Sequence, residues 1–173
     1  PIQTKENEIL APATSIDETK TNVLEIIKPK EDVLTANKRV SIETPSLTGS
    51  INLQGAILDD LTLANYKVSL DDNSKNIDLL SPDGTSNPYY IEFGWKSLDD
   101  QNVQLPTLET IWETNSSSLS QENSVRLSWT NDENITFVKD FSVDENYMFS
   151  VNQEVINNSS SNIEIYPYRL IKR

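Results

Sequence analysis

From Lys38 onward, apolar and polar residues alternate along short stretches of the chain. Val40 and Ile42 fall on one side of the first stretch, and Ser41 and Glu43 fall on the other. This period of two is the pattern of a half-buried β-strand. The alternation recurs in five further stretches, at Ile51 and Leu53; Leu61 and Leu63; Tyr89, Ile91, Phe93 and Trp95; Val125, Leu127 and Trp129; and Tyr147, Phe149 and Val151. The pattern predicts an all-β chain, because no comparably long stretch favours a helix.

Turn-forming residues separate these predicted strands. In Pro82-Asp83-Gly84 the proline presets its φ and the glycine supplies a positive φ. Residues 131–134, Asn-Asp-Glu-Asn, lie between two strands and predict the tip of a hairpin. Short strands joined by such turns predict an antiparallel β-sandwich at residues 38–173, in which the inward faces of two sheets form one core.

Polar stretches lie before and within this domain. Residues 1–37 are rich in Thr, Lys, Glu, Pro and Asn, and they predict a polar tether. Two parts of the tether, residues 21–27 and 31–36, favour a helical turn or two that docks on the domain. Residues 97–104 and 115–123 predict long mobile loops that tolerate insertion.

The charge and the missing residue types exclude several functions. A formal net charge of -13 and a pI near 4.3 disfavour nucleic acid and anionic lipid as direct partners. The chain has no Cys and no His, which removes disulfides, Ser-His and Cys-His nucleophile pairs and the usual zinc ligands. Most hydrolase mechanisms are thereby excluded. We assign no catalytic, cofactor-binding or metal-binding residues, and we expect no enzyme activity.

Two acidic groups are candidates for chemical sites. The pair Asp59-Asp60 has the residue type that glycosidases use, but adjacent strand residues point to opposite faces unless a bulge intervenes. A turn or surface position is the favoured interpretation. Residues 71–74 with Asp78 resemble an oxygen-rich calcium loop, yet they lack the glycine and glutamate of an EF-hand. A solvated loop is the favoured interpretation there.

Three tryptophans are the other candidates for a binding site. Trp95, Trp112 and Trp129 could form a stacking platform for sugars or peptides, because an indole ring offers an apolar face and a donor. Trp95 and Trp129 lie in phase with aliphatic strand residues. Packing in the core is therefore the favoured interpretation for both.

Long ordered motifs carry a resemblance to a known family. Residues 44–66, TPSLTGSINLQGAILDDLTLANY, and residues 80–95, LSPDGTSNPYYIEFGW, resemble the opening of the periplasmic domain of YidC insertases of the alphaproteobacterial kind. Shorter matches follow in the family's order, at Leu105-Pro106, Thr110-Ile111-Trp112, residues 125–130, residues 147–151 and Tyr166-Pro167-Tyr168. The resemblance runs from Arg39 to the last residue.

Glycines explain part of these motifs in physical terms. Gly49 and Gly55 are expected where the chain turns or bulges, and Gly94 where a neighbour packs closely. The clearest departure is at residues 131–134, where family members usually carry a glycine in the hairpin. The type of that turn is left open.

The resemblance implies a fold, a place and a function. The fold would be a β-supersandwich related to galactose mutarotase, and residues 1–37 would connect it to a first transmembrane helix. The whole protein would be a multi-pass protein of the bacterial inner membrane that inserts and folds inner-membrane proteins, alone or with the Sec translocon, without a cofactor. This soluble periplasmic domain would be an accessory platform for Sec subunits or nascent membrane proteins, and no individual residue is assigned to that contact.

Two other functions remain as alternatives. A non-catalytic carbohydrate-binding sandwich fits the fold relationship and the tryptophans, provided that one indole face is exposed in a concave site. An adhesin-like structural sandwich fits the composition but leaves the motifs unexplained. Because family domains continue beyond the Tyr166-Pro167-Tyr168 motif, we also expect an incomplete sandwich with an unpaired edge, which predicts self-association.

Overall fold

The structure, a computed structural model, describes residues 27–97 and 103–173. Within that part of the chain it contains one short helix, α1 (Lys30–Leu34), and eleven strands. The strands are β1 (Arg39–Glu43), β2 (Leu47–Asn52), β3 (Ile57–Lys67), β4 (Asn76–Leu80), β5 (Tyr90–Ser97), β6 (Glu113–Thr114), β7 (Ser118–Leu119), β8 (Val125–Thr130), β9 (Ile135–Val143), β10 (Phe149–Asn157) and β11 (Ile165–Lys172).

The strands form two sheets with a common core. Seven strands make one sheet, with the order β11-β5-β3-β2-β1-β7 and with β4 also paired to β3. The other sheet has the order β10-β9-β8-β6. Buried side chains of both sheets meet in one cluster, in which the rings of Phe93 and Phe141 lie 6.0 Å apart in an edge-to-face arrangement. The predicted all-β sandwich is confirmed.

Burial follows the predicted alternation where a strand has one face on the core. In β1, Val40 and Ile42 are buried while Glu43 is exposed. In β8, Leu127 is fully buried and its neighbour Arg126 is exposed. A half-buried strand has this period because successive side chains point to opposite faces of the sheet.

Strand β5 departs from the alternation because both of its faces are covered. Phe93 and Trp95 are buried as predicted, but Glu92 is buried as well. The strand lies inside the larger sheet, between β11 and β3, and Tyr168 of β11 donates a hydrogen bond to Glu92. Tyr89, which was expected on the inward face, precedes the strand and is exposed.

The two predicted turns are present. Gly84 has a φ of 81°, which glycine adopts without steric cost. Residues 131–134 join β8 to β9, and Asn134 has a φ of 60°, a conformation that Asn tolerates better than most residues. The Asn131 side chain accepts hydrogen bonds from the N–H groups of Glu133 and Ile135, at 3.0 and 2.9 Å. Asparagine thus makes the hairpin without a glycine.

The expectation of a mobile loop at residues 115–123 is wrong for its centre. Ser118–Leu119 forms β7, which pairs in parallel with β1, and Leu119 is fully buried. Asn123 donates a hydrogen bond to the carbonyl of Ser118 at 2.6 Å. An insertion beside Leu119 would therefore disturb the core. Of the other predicted loop, residues 98–102 lie outside the described residues.

The helical turn predicted at residues 31–36 corresponds to α1. No residue of the helix is fully buried, and polar contacts help to hold this segment on the domain. The N–H of Lys28 donates to the carbonyl of Gly84 at 2.9 Å, and Lys30 forms ion pairs described below. The division of the chain at residue 37 stays a prediction, and residues 1–26 lie outside the described residues.

Gly94 lies under an aromatic ring, as its motif predicted. A Cβ atom at this position would lie 2.5 Å from the Tyr168 ring.

We expect Gly94→Ala to lower the free energy of unfolding by about 1–2 kcal/mol, because the ring must move away from Glu92. Urea denaturation measures this change. If the double variant Gly94→Ala/Tyr168→Ala were as unstable as the sum of the two single variants, the clash would not be the cause.

Candidate functional site

A β-bulge brings the Asp59-Asp60 pair into the interior. In the pairing of β2 with β3, Ser50 lies opposite Asp60 but Ile51 lies opposite Leu58, so Asp59 is the extra residue of the bulge. Both carboxylates are buried, with exposed fractions of 4% and 7%. The prediction of a turn or surface position is therefore wrong. The two side chains were expected to point to opposite faces of the sheet, as adjacent residues of a regular strand do. The bulge interrupts that alternation.

Two cations form ion pairs with these carboxylates, and a hydroxyl group donates a hydrogen bond to one of them. Arg39 forms an ion pair with Asp59, and its Nε donates to Ser50 Oγ at 2.7 Å. Ser50 Oγ in turn donates to Asp60 Oδ2 at 2.8 Å. Lys30 Nζ lies 2.8 Å from Asp60 Oδ1. Each carboxylate therefore has its own cation, which is the arrangement of a structural ion network rather than of a proton-transfer pair.

Asp78 extends this network to β4. Its Oδ1 lies 2.8 Å from Lys30 Nζ and accepts a hydrogen bond from Thr62 Oγ1 at 2.6 Å. Burial opposes ionisation of Asp78, but the hydrogen bonds from Lys30 and Thr62 outweigh it and lower the pKa of the carboxyl. For Asp59 the balance is reversed, since burial raises the pKa in spite of Arg39. Lys30 thus ties α1 to two strands.

The calcium-loop candidate does not assemble. Asp78 was one of its possible ligands, and it lies in β4 with Lys30 as its partner. Residues 71–74 form an exposed turn in which Ser74 donates its N–H to the carbonyl of Asp71. Among the described residues, no group of three acidic side chains has the geometry to hold a metal ion.

A lysine in the middle of β9 was missed by sequence reasoning. Lys139 is 1% exposed, and its Nζ donates to the carbonyls of Gly55 and Ala56 at 3.1 and 3.3 Å. The same ammonium lies 4.6 Å from the ring centroid of Trp112 and 5.9 Å from that of Trp95. Two carbonyls and two indole faces therefore take the place of water around this cation.

The protonation of Lys139 depends on its burial. Burial lowers the pKa of Lys139 to about 7, against the attraction of Glu92. Glu92 itself accepts a hydrogen bond from Tyr168 Oη at 2.6 Å, and burial together with that contact raises the pKa of Tyr168 to about 12. A signal for this lysine was available, because Lys139 is in phase with Phe137 and Phe141.

A neutral amine is a nucleophile, but this one is enclosed. The cavity beside Lys139, Glu92 and Trp112 has a volume of about 20 Å³, which is the room of about one water molecule. A substrate cannot reach the amine without opening the two sheets. The cluster is therefore suited to holding the turn at Gly55 and Ala56 against β9.

The tryptophans pack in the core rather than forming a platform. Trp95 and Trp112 are buried and stack on each other with ring centroids 6.3 Å apart. Trp129 is half-buried and stacks on Phe137 at 5.8 Å. The predicted burial of Trp95 is confirmed. Trp95 and Trp112 therefore do not offer the exposed indole face that a sugar site requires.

These features define a class of protein. The described residues form an all-β sandwich domain in which Asp59, Asp60 and Lys139 are buried. Among the described residues, no helix has the length and apolar character needed to span a bilayer.

Comparison with known proteins identifies the family. The family model described as the YidC periplasmic domain matches residues 39–173. The chain is 42% identical over 144 residues to the membrane protein insertase YidC of Methylorubrum extorquens, covering 83% of this chain and 23% of that protein. It is 37% identical over 177 residues to the same insertase of Rickettsia felis, covering 100% of this chain and 31% of that protein. The chain therefore belongs to the YidC periplasmic domain family.

The curated relatives are considerably longer than this chain. A third relative, the YidC insertase of Mesorhizobium japonicum, is 43% identical over 145 residues, which is 83% of this chain and 24% of that protein. The chain thus spans less than a third of the length of the relatives it matches. What it shares with them is the periplasmic domain.

Proposed function

We propose that this chain is the accessory periplasmic domain of an insertase that inserts and folds proteins of the bacterial inner membrane. The observation that carries the proposal is the family match over residues 39–173, which covers the whole described sandwich. The insertase works alone or beside the Sec translocon. It uses no covalent chemistry and no cofactor in this domain.

The internal geometry supports a role without catalysis. Asp59 and Asp60 are each neutralised by a cation, so neither is free to act as a general acid or base on an external substrate. Lys139 is enclosed between the sheets. The domain contributes surfaces, and its contacts with nascent membrane proteins or Sec subunits are made there.

Exposed apolar side chains on the outer strands are surfaces suited to such contacts. Within the described residues, β11 and β10 are the outermost strands of their sheets on one side, with only one partner each. The exposed apolar side chains Tyr166, Leu170 and Ile171 lie along β11. An unpaired edge with apolar side chains is a template for pairing with an additional strand.

The carbohydrate-binding alternative has no comparable support. Trp95 and Trp112 are buried against each other, and the half-buried Trp129 presents one face to Phe137.

The unpaired edges predict self-association of the isolated chain. Because β11 exposes backbone groups and Ile171, we expect sedimentation velocity at tens of micromolar to detect a dimer or larger species. The substitution Ile171→Lys places a charge on the edge and is expected to shift the distribution toward monomer. The control Ile111→Lys changes an equally exposed side chain outside β11 and is expected to leave the distribution unchanged. A monomer for the parent chain would contradict the prediction.

Photocrosslinking in the full-length protein tests the proposed function. Photoreactive residues are placed at Glu43 and Thr48 on the larger sheet, at Leu170 on β11, and at Thr130 and Ser142 on the smaller sheet, all of which are exposed. We expect membrane-protein substrates or Sec subunits to be captured in native membranes from one of these surfaces. If insertion proceeds and no position captures either class, the domain is a spacer and the proposal is wrong.

A further inference from the structure

The segment that leads into α1 is held on the sandwich at three consecutive residues. The N–H of Lys28 donates to the carbonyl of Gly84 at 2.9 Å. Pro29 follows with a φ of -54°, which its ring keeps close to that value. The side chain of Lys30 then reaches β3 and β4. The backbone therefore has little freedom to change direction over these three residues.

The ammonium group of Lys30 has a partner for each of its three donors. Its Nζ lies 2.8 Å from Asp60 Oδ1 and 2.8 Å from Asp78 Oδ1. It also donates to the carbonyl of Leu80 at 3.4 Å. An ammonium carries three donors and no acceptor, so these partners satisfy it fully. Because they lie on two strands, β3 and β4, they define one position for Nζ.

The buried carboxylate of Asp60 makes this contact costly to break. Asp60 Oδ2 accepts a hydrogen bond from Ser50 Oγ at 2.8 Å, and Lys30 is the cation at Oδ1. The nearby Arg39 is paired with Asp59. If Lys30 moved away, Asp60 would keep its charge in the interior without a cation, which is strongly unfavourable. Docking of the segment is thus coupled to the interior of the sandwich and exceeds a surface ion pair in strength.

We propose that residues 28–30 form a latch, anchored by Lys30, that fixes the direction in which the chain enters the sandwich. Apolar packing is the lesser part of this docking, since α1 has no fully buried residue and its Val33 and Leu34 are only half-buried. The inference goes beyond the proposed function and does not rest on it. For an accessory platform, the latch decides which surface of the sandwich faces the chain before it.

Distances between two spin labels, measured by double electron–electron resonance on the 173-residue chain, test the latch. The chain has no Cys, so labels attach only at Ile27→Cys, beside the latch, and at Ser142→Cys, on the smaller sheet. Both of these side chains are exposed. We expect a narrow distance distribution in the parent. Lys30→Glu is expected to broaden it at least about twofold, because a released segment samples many directions.

A charge exchange across the latch identifies its anchor. Asp78→Lys repels Lys30 but leaves a cation beside Asp60, so we expect a broadened distribution in a folded sandwich. This variant tests the latch even where Lys30→Glu unfolds the chain, which circular dichroism reports. The double variant Lys30→Glu/Asp78→Lys again places one cation between two carboxylates, and the distribution is expected to return to the parent width. Two independent perturbations would add instead of cancelling.

The matched control is Lys28→Glu. It makes the same change of charge within the latch but leaves the backbone bond to Gly84 in place, and it is expected to keep the parent width. A parent distribution as broad as that of Lys30→Glu would overturn the latch. Equal broadening in Lys28→Glu, or a double variant as broad as Asp78→Lys alone, would overturn Lys30 as its anchor.

The outcomes for the latch and for the proposed function are separate. The label distances involve no partner, so a broad parent distribution refutes the latch whatever the photocrosslinking captures. Absence of capture, together with a narrow parent distribution that Lys30→Glu broadens, would contradict the proposed function and support the latch.

Discussion

Replacing Trp95 with alanine is expected to lower the free energy of unfolding by about 3–5 kcal/mol. The side chain is 5% exposed and packs against Phe137 of the smaller sheet and against Trp112, which directly precedes β6. Its ring stacks on Trp112 at 6.3 Å and meets Phe137 edge-to-face at 5.1 Å. The substitution removes the contact of Trp95 with Phe137 of the other sheet and leaves a cavity that the surrounding strands can only partly fill. Urea denaturation followed by circular dichroism measures the loss.

The control for this prediction is an exposed aromatic residue. Tyr66 is 55% exposed, so Tyr66→Ala is expected to change the free energy of unfolding by less than about 0.5 kcal/mol. An unchanged denaturation midpoint for Trp95→Ala would mean that the ring does not contribute to the core as the structure indicates.

The free energy of unfolding is expected to rise by about 2 kcal/mol between about pH 7 and about pH 9. The cause is Lys139, whose pKa burial lowers to about 7 in the folded chain. The unfolded chain keeps the ordinary lysine pKa of about 10.4 and holds the proton throughout this range. Because the unfolded state binds more protons than the folded state, stability rises with pH. The buried charge on Lys139 lowers the free energy of unfolding most below about pH 7. This destabilisation is relieved by about pH 10.

A side chain that cannot bind a proton at position 139 isolates this effect. Lys139→Met keeps most of the side-chain volume and is expected to flatten the pH dependence over the same range. The matched control, Lys75→Met, changes an exposed lysine and is expected to retain the rise. Denaturation midpoints at several pH values provide the measurement. A rise that persists in Lys139→Met would assign the pH dependence to another group.

Local sequence signals predicted the parts of the fold that neighbouring residues decide. The alternation at Val40 and Ile42 predicted β1 and its buried face, because the period of a strand depends only on backbone geometry. Gly84 and Asn134 predicted turns because the ability to adopt a positive φ is also local: it is a property of the single residue. The burial of Trp95 followed from its phase.

The charged clusters required knowledge of which strands pair. Asp59 and Asp60 were expected to diverge, and only the register shift against Ser50 brings both into one network. A bulge of this kind depends on the partner strand, which the local pattern does not identify. Cations from outside β3, Arg39 and Lys30, then make burial of the two carboxylates tolerable.

Lys139 shows most directly where sequence information ends. By itself the sequence determined an acidic all-β chain and, through its motifs, the family; the phase of Lys139 with Phe137 and Phe141 indicated an inward side chain. Only the tertiary structure supplied its partners, since the carbonyls of Gly55 and Ala56 lie 84 and 83 residues away along the chain. A buried ammonium is stable only where acceptors replace its water, and two sheets had to pack together to provide them.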